Sequence, residues 1–326
     1  MVARAARADA RMMPGYCHHQ YAESFAEVGR PRELRHCGGW LIERAIPGTE
    51  LQDGMGCYPL FDCRTWAGLP LDLSGLTETL VSVSLVTNPF GAVVEADLCR
   101  WFDVVMPYKQ HHVTDLWRPT EEIVTGQHRR NVRNALRRVH VATCPEPMAF
   151  LGEWCELYGH LAERHGITGL RAFSRAAFET QLGVPGLTMF RASVDDETVG
   201  LHLWYVCGEV AYGHLGATSE RGYQCMASYA LYWYAINHFR EHVRWLDLGG
   251  VAGLSDAGAE DGLQRFKAGW ATGTRPTFLC GRILQPSVYA DLAMKRGLAG
   301  SRYFPAYRRG EYSSTREQPK VGTELR

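Results

Sequence analysis

The sequence predicts an α/β (α+β) fold in which mixed, largely antiparallel sheets are flanked by helices. Short apolar runs rich in strand-forming residues alternate with longer stretches of helical periodicity, a pattern typical of layered sheets and helices. The 326 residues provide room for two domains of about 150 residues each. Hydrophobic residues make up 46% of the chain and charged residues 21%, close to globular averages, which excludes a disordered or fibrous protein.

The first half of the chain is predicted to contain mostly strands. The strand candidates are residues 40–45, 55–61, 80–87 and 111–116. The turn signal Asn88-Pro89-Phe90-Gly91 precedes a stretch, residues 92–104, that can be helical. A helix is predicted over residues 127–138 and a further strand over 139–143.

The second half shows a clearer pattern. Apolar residues recur at intervals of three and four over residues 148–165, which predicts an amphipathic helix. An antiparallel meander is predicted over residues 187–194, 198–205 and 209–217, with turns at 195–197 and 207–208. A long helix over residues 223–242 and a short strand over 245–248 follow.

Both halves consist of several strands, a helix and a further strand, so tandem copies of one fold are expected. The predicted domains are residues 36–147 and 148–310. The remaining residues, 1–35 and 311–326, are rich in polar or small side chains and are predicted to be tails outside the core.

The charge balance and the hydropathy pattern limit the class of protein. Lys plus Arg equals Asp plus Glu at 35 each, so only a local basic patch is left as a nucleic-acid signal. The Arg-rich start has no apolar run of signal-peptide length, and no later run is long enough to span a membrane. A cytoplasmic protein is therefore expected. Its many aromatic residues fit either a core or an interface, and a monomer is taken as the default.

Cysteine and histidine usage does not indicate a metal site. The ten cysteines are scattered through a chain too long to need a disulfide framework, so reduced thiols are expected. Three small clusters are candidates for metal binding: Cys17 with His18 and His19, His36 with Cys37, and His111 with His112. No CxxC or HExxH motif accompanies them, so no metal is predicted.

The most specific stretch of the sequence combines a Gly-Gly strand end with a Phe-Lys pair. Residues 245–250 read WLDLGG and residues 262–270 read GLQRFKAGW. Together they resemble the pattern D-L-G-G … G-L-x-x-F-K-x-G-[FW] of Fem-type aminoacyltransferases and related CelD/BcsL-like domains in the Gcn5-related N-acetyltransferase (GNAT) superfamily. Residues 112–116 (HVTDL) with 127–136 (QHRRNVRNAL) resemble the family's first-domain element, and 211–217 (AYGHLGA) its central strand.

This resemblance spans residues 40–283 and implies two tandem GNAT-like domains. It implies catalysis at the central cleft of the second domain, with acceptor binding shared across the groove between the domains. Aminoacyl-tRNA would be the co-substrate, with no resident cofactor. The long coiled-coil arm of some Fem-type enzymes is not expected, because the second half lacks about 40 residues of heptad pattern.

Three residues are candidates for catalysis. A cation at Lys267 suits a site where negative charge develops on a tetrahedral carbonyl, and one such donor can contribute roughly 3 kcal/mol. Asp247 either acts as a general base or caps the glycine turn. His214 either acts as a base or is a hydrogen-bonded core histidine. The residues predicted to bind substrate are Phe266, Arg265, Gly249, Gly250 and Tyr212.

A basic helix is the candidate for phosphate binding. The arginines involved are Arg129, Arg130, Arg133 and Arg137, at a spacing that concentrates charge on one face. They either bind phosphates of tRNA or of a nucleotide-linked acceptor, or form a solvated face that pairs with Glu121 and Glu122.

The leading hypothesis is a tRNA-dependent aminoacyltransferase that forms an amide bond on an amine acceptor. That acceptor is a peptidoglycan precursor or a small natural product such as an antibiotic. The first alternative is an acyl-CoA-dependent GNAT N-acyltransferase; residues 221–227 (RGYQCMA) depart from its pyrophosphate motif R/Q-x-x-G-x-G/A at Gln224 and Met226. The second alternative is a non-catalytic module that binds RNA or a nucleotide.

Overall fold

The computed structural model describes residues 13–250 and 257–311, and its strands form one 11-stranded sheet. In chain order the strands are β1 (Arg30–Leu34), β2 (Gly39–Ala45), β3 (Gln52–Gly56), β4 (Ser82–Val86), β5 (Val104–Asp115), β6 (His140–Cys144), β7 (Leu187–Val194), β8 (Glu197–Cys207), β9 (Val210–Thr218), β10 (Trp245–Asp247) and β11 (Gly273–Ile283). The α-helices are α1 (His19–Glu23), α2 (Leu69–Ser74), α3 (Glu95–Trp101), α4 (Thr120–Ile123), α5 (Gly126–Ala135), α6 (Leu151–His165), α7 (Arg175–Leu182), α8 (Glu220–Gln224), α9 (Ala227–Phe239), α10 (Ala257–Ala268) and α11 (Pro286–Lys295).

The spatial order of the strands is β1-β2-β3-β4-β11-β5-β10-β9-β8-β7-β6. Neighbouring strands are antiparallel except for β3 with β4 and β9 with β10, which are parallel. The prediction of a mixed, largely antiparallel sheet flanked by helices is therefore confirmed.

A common order of elements recurs in the two halves of the sheet. Strands β1–β3 form a meander, α2 leads to the parallel strand β4, and α3 leads to β5. Likewise β7–β9 form a meander, α8 and α9 lead to the parallel strand β10, and α10 leads to β11. The last strand of each half pairs with a strand of the other half: β5 pairs with β10, and β11 pairs with β4. This recurrence is in keeping with tandem copies, while a division at residues 147/148 stays a prediction.

Most predicted elements are present, with differences at a few boundaries. Strand β11 was not predicted, since Pro276 lies within it and proline removes a ladder hydrogen bond. The predicted helix over residues 223–242 is interrupted, because Met226 is left-handed at φ 58° and separates α8 from α9. The predicted strand over residues 55–61 already ends at Gly56.

The prediction that residues up to about 35 lie outside the core is wrong for the part from residue 16 onward. Tyr16, Tyr21 and Phe25 are 5%, 0% and 1% exposed and pack against Tyr205 and Tyr212 of the sheet. Tyr21 and Phe25 are spaced four apart, as on one face of a helix, but this apolar pattern is too short to indicate a core helix by itself. Residues 1–12 and 312–326, also predicted to be tails, lie outside the described residues.

The two faces of the sheet are covered by different helices near β10. Leu246 is buried with residues of α5 and α9 in one apolar cluster. Because side chains alternate along a strand, Trp245 and Asp247 point to the opposite face. Tyr212, directly opposite Asp247 on β9, lies on that same side with Tyr16. The side that carries Asp247 is termed the cavity face.

A buried ion pair joins the C-terminal segment to β3. The Arg308 guanidinium donates to both carboxylate oxygens of Asp53 at 2.5 and 2.8 Å, and the Tyr307 hydroxyl donates to Asp53 at 3.1 Å. Arg44 lies 3.6 Å from the same carboxylate. The side chains of Asp53 and Arg308 are 0% and 3% exposed, so removal of the carboxylate leaves two buried guanidinium groups with one remaining carboxylate, that of Glu311, 2.5 Å from Arg308.

We expect Asp53→Asn to lower the free energy of unfolding by about 3–5 kcal/mol, because the two buried arginines would then carry one more positive charge than Glu311 balances. Urea denaturation measures the change. Glu122→Gln is the matched control, since Glu122 pairs with Arg118 on the surface at 4.0 Å, and it should change the same quantity by less than about 1 kcal/mol. Equal effects of the two substitutions would contradict the structural role of Asp53.

Candidate functional site

A cavity opens where β9 and β10 stop pairing. The two strands are in register only from Val210/Trp245 to Tyr212/Asp247; β10 then ends, whereas β9 continues to Thr218. The cavity has a volume of about 220 Å³. Residues from both halves of the sheet line it: Tyr16, Tyr58, Pro59, Leu60, Val86, Tyr108, Lys109, His111, Tyr212, Gly213, His214, Asp247, Leu248, Gly249, Gly250 and Lys267.

Two β-bulges shape the walls of this cavity. On β9, Leu215 pairs with Leu203 and Gly213 pairs with Trp204, so His214 is the extra residue. On β5, Lys109 and Pro107 pair with consecutive residues of β11, so Tyr108 is the extra residue. A bulge redirects the side chain of the inserted residue. Both inserted residues contribute to the cavity lining.

His111 and Asp247 form a buried hydrogen-bonded pair at the floor of the cavity. The Nδ1 atom of His111 lies 2.9 Å from each carboxylate oxygen of Asp247. Asp247 Oδ1 also accepts the Gly249 amide at 2.8 Å, which fixes the carboxylate. Since an ionised carboxylate can only accept, Nδ1 carries the proton, and in the neutral ring Nε2 keeps its lone pair. Within the described residues Nε2 makes no hydrogen bond, so it can take a proton from a ligand in the cavity.

Lys267 supplies a buried ammonium to the same cavity. Its side chain reaches from α10 to the Gly250 carbonyl, to which Nζ donates at 2.8 Å. Burial lowers the pKa of Lys267 to about 8; Asp247 opposes this shift and Lys109 adds to it. A Cβ atom at Gly249, whose φ is +75°, would lie 3.3 Å from Nζ. The glycine therefore leaves room for a ligand atom beside the ammonium.

His214 is held by hydrogen bonds on both ring nitrogens. Tyr16 Oη donates to Nδ1 at 3.2 Å, and Nε2 donates to Gln181 Oε1 at 3.2 Å. Burial lowers the pKa of His214 to about 3. His214 therefore stays neutral with no free lone pair, and the geometry favours its reading as a hydrogen-bonded core histidine over a base.

Tyrosine hydroxyls form much of the remaining wall. Tyr212 Oη accepts from Asn88 Nδ2 at 2.9 Å, which orients the ring against the cavity. Burial raises the pKa of Tyr58 to about 12 and raises those of Tyr16 and Tyr212 further. These hydroxyls therefore remain protonated, and the wall offers hydrogen bonds and aromatic surface without negative charge.

The structure brings six of the predicted site residues together and separates the others. Those at the cavity are Lys267, Asp247, His214, Gly249, Gly250 and Tyr212. Phe266 points away from it and packs on the rings of His128, Tyr229 and Tyr232. Arg265 is exposed.

The predicted phosphate-binding arginines lie on or just after α5, and none of them lines the cavity. Arg130, Arg133 and Arg137 are exposed, while Arg129 is half-buried and donates to the Val124 carbonyl at 2.6 Å. Helix α5 packs in the cluster on the face opposite the cavity face. The phosphate role and the solvated-face alternative both stay predictions.

Several cavity residues had no functional signal in the sequence. The sequence singles out His111 only as a neighbour of His112 in a candidate metal cluster. In the described ranges, no group of three or more His, Cys, Asp or Glu side chains is arranged to hold a metal. Tyr16 lies in a segment predicted to be a tail, and Tyr58, Tyr108 and Lys109 belong to no motif.

None of the helices within residues 13–250 and 257–311 has the length and apolar character needed to span a membrane.

Comparisons with known proteins agree with the fold. Residues 126–268 match a family model described as an acetyltransferase (GNAT) domain. FemX superposes with a TM-score of 0.60 at 14% identity, covering 83% of this chain and 92% of FemX. The C-terminal domain of a putative lysylphosphatidylglycerol synthetase from Agrobacterium fabrum gives 0.58 at 13% identity, covering 85% and 90%.

A third solved structure has the same architecture. L-PGS from Bacillus licheniformis superposes with a TM-score of 0.54 at 14% identity, covering 84% of this chain and 94% of L-PGS. No curated protein matches the sequence. At these identities the superpositions establish a shared fold across both halves of the sheet.

Proposed function

We propose that this acyltransferase, whose residues 126–268 match an acetyltransferase (GNAT) domain, transfers an aminoacyl group from aminoacyl-tRNA to an amine acceptor. The observation that carries the proposal is the cavity in which the His111–Asp247 pair and the Lys267 ammonium meet. A proton acceptor and a cation at one cavity are what acyl transfer needs.

The reaction follows from these groups. The acceptor nitrogen attacks the ester carbonyl carbon of the donor, and Lys267 stabilises the negative charge that develops on the carbonyl oxygen. His111 Nε2 takes the proton that the attacking nitrogen loses, while Asp247 holds the ring and stabilises its positive charge. The carbon–oxygen ester bond then breaks, and His111 returns the proton to the ribose oxygen that leaves.

The surroundings of α8 favour a donor other than acyl-CoA. By the resemblance to the GNAT superfamily, residues 221–227 correspond to the pyrophosphate loop of CoA-dependent enzymes. The adjoining groove is lined by four carboxylates, those of Glu156, Glu163, Glu197 and Glu220. Two arginines also line this groove, but Arg164 pairs with Glu220, and Arg221 pairs with Asp195 and Glu197. Such a negative groove repels a pyrophosphate.

The likeness to FemX and to two proteins named for lysylphosphatidylglycerol synthesis also supports an aminoacyl donor. The test is a transfer assay that compares total tRNA charged with labelled amino acids against labelled acetyl-CoA. Each donor is offered with a panel of amines that includes peptidoglycan precursors and small natural products. Label that moves only from tRNA supports the proposal, and label that moves only from CoA overturns it.

The activity should fall above pH 8 because the Lys267 ammonium, with a pKa of about 8, becomes neutral there. We expect kcat to decline about tenfold per pH unit once the pH exceeds the pKa of Lys267. Lys267→Arg retains the charge above pH 12 and should move this decline upward by more than about one pH unit. Uncatalysed ester hydrolysis is subtracted at each pH. A decline at the same pH in both proteins would contradict the assignment to Lys267.

A further inference from the structure

Three aromatic rings and two arginines form an alternating stack beside the cavity. The Arg244 guanidinium lies 4.3 Å from the centroid of Trp117 and 4.8 Å from that of Trp245. The Arg275 guanidinium lies 4.8 Å from the centroid of Trp245 and 4.2 Å from that of Phe90. Each arginine is therefore held between two rings at cation–π distance. These five residues are termed the Trp–Arg stack.

The stack leads along the cavity face to the proposed catalytic groups. Trp245 and Asp247 are two positions apart on β10, so their side chains share a face about 7 Å apart along the strand. Arg275 on β11 pairs directly with His111 on β5. Phe90 at the end of the stack contacts the cavity residue Tyr212, with ring centroids 6.1 Å apart.

The two arginines differ in how their charge is balanced. Arg244 forms an ion pair with Asp115 at 3.2 Å, which fixes it between the two indoles. Arg275 is half-buried, and within the part of the chain that the structure describes no carboxylate pairs with it. Its positive charge is therefore available to an anion that binds on the cavity face.

The outer end of the stack is unusually exposed for an aromatic residue. Trp117 has 70% of its surface accessible, and Arg244 contacts its ring. An exposed indole next to cationic groups is the combination on which unpaired nucleobases stack while arginines neutralise the neighbouring phosphates. Such binding tolerates any base, because every base has a flat π face.

We propose that the Trp–Arg stack binds the single-stranded 3′ end of the donor tRNA, with a base on Trp117 and a phosphate on Arg275. This inference rests on the proposed function, since the esterified end of that strand must reach His111 and Lys267. The stack lies on the same face as these groups, whereas α5 with Arg133 and Arg137 packs on the other face. The acceptor end of the RNA is therefore expected on the stack rather than on α5.

The test uses the full-length protein and two readouts. Fluorescence anisotropy measures the Kd of a labelled single-stranded RNA tetramer ending in CCA, and transfer assays measure KM and kcat for aminoacyl-tRNA. We expect Trp117→Ala to raise both Kd and KM about tenfold with little change in kcat, while Trp117→Phe retains most of the affinity. Arg275→Gln should reduce the slope of log Kd against log salt by about 0.7.

Lys295→Gln is the matched control, because it removes one exposed positive charge on α11, which follows the end of β11 far from Arg275. It should leave the Kd of the tetramer within about twofold of the unsubstituted protein. Transfer from tRNA with unchanged Kd and KM in Trp117→Ala overturns this inference and leaves the proposed function intact. If the tetramer binds in a way that depends on the stack but no transfer occurs, RNA binding at the Trp–Arg stack is supported and the proposed function is overturned.

Discussion

Lys267→Met is expected to reduce kcat by about 10²–10³, the usual effect of removing one donor that stabilises an oxyanion. The KM for aminoacyl-tRNA should change much less, because the ammonium interacts with charge that is present mainly in the transition state. Single-turnover transfer from charged tRNA measures the effect on the chemical step. Full activity of the variant would contradict the catalytic assignment of Lys267.

The same substitution should stabilise the fold at neutral pH. Lys267 has a pKa of about 8 in the folded protein and an ordinary value of 10.5. The folded state therefore binds fewer protons between these values, and the cost of burying the charge is absent above pH 10.5 and fully present below pH 8. Methionine removes that cost but also loses the hydrogen bond to Gly250.

The net gain in unfolding free energy at pH 7 should be about 1–3 kcal/mol. It should shrink as the pH rises from 8 to 10.5, where the unsubstituted lysine becomes neutral. Thermal denaturation of both proteins across this range measures the difference. A variant that is both inactive and less stable at pH 7 would indicate a structural role for the ammonium instead.

His111→Ala is expected to reduce kcat/KM by about 10²–10⁴, the range for loss of a general base. Asp247→Asn should also lower kcat/KM, but by less than His111→Ala does. An amide can hold the His111 ring, yet it cannot stabilise the positive charge of the ring or fix the proton on Nδ1. Single-turnover rates with charged tRNA measure both effects.

His140→Ala serves as the control for the histidine substitution. His140 is exposed on β6 at the far edge of the sheet, so its replacement should leave the rate within about twofold. The order of effects should be His111→Ala, Asp247→Asn and then His140→Ala. An Asp247→Asn protein as active as the unsubstituted one would exclude the proton-transfer role of the pair.

Most elements and part of the candidate site could be predicted from the amino-acid sequence alone. Regular periodicity located α5, α6 and the meander β7–β9, because each pattern reflects contacts within one element. The WLDLGG and FK segments pointed to Asp247, Gly249, Gly250 and Lys267, and the structure places all four at one cavity. A sequence motif is enough to locate these residues, since they lie at the end of one strand and on the helix that follows it.

The remaining features could not be predicted from the sequence, because they join residues that are far apart in the chain. His111 meets Asp247 across 136 positions, through the pairing of β5 with β10. The register between β5 and β11 sets Arg275 opposite His111, and the packing of residues 16–25 adds Tyr16 to the cavity. Strand order and register depend on the summed packing of the whole sheet, so no single segment of the sequence encodes these contacts.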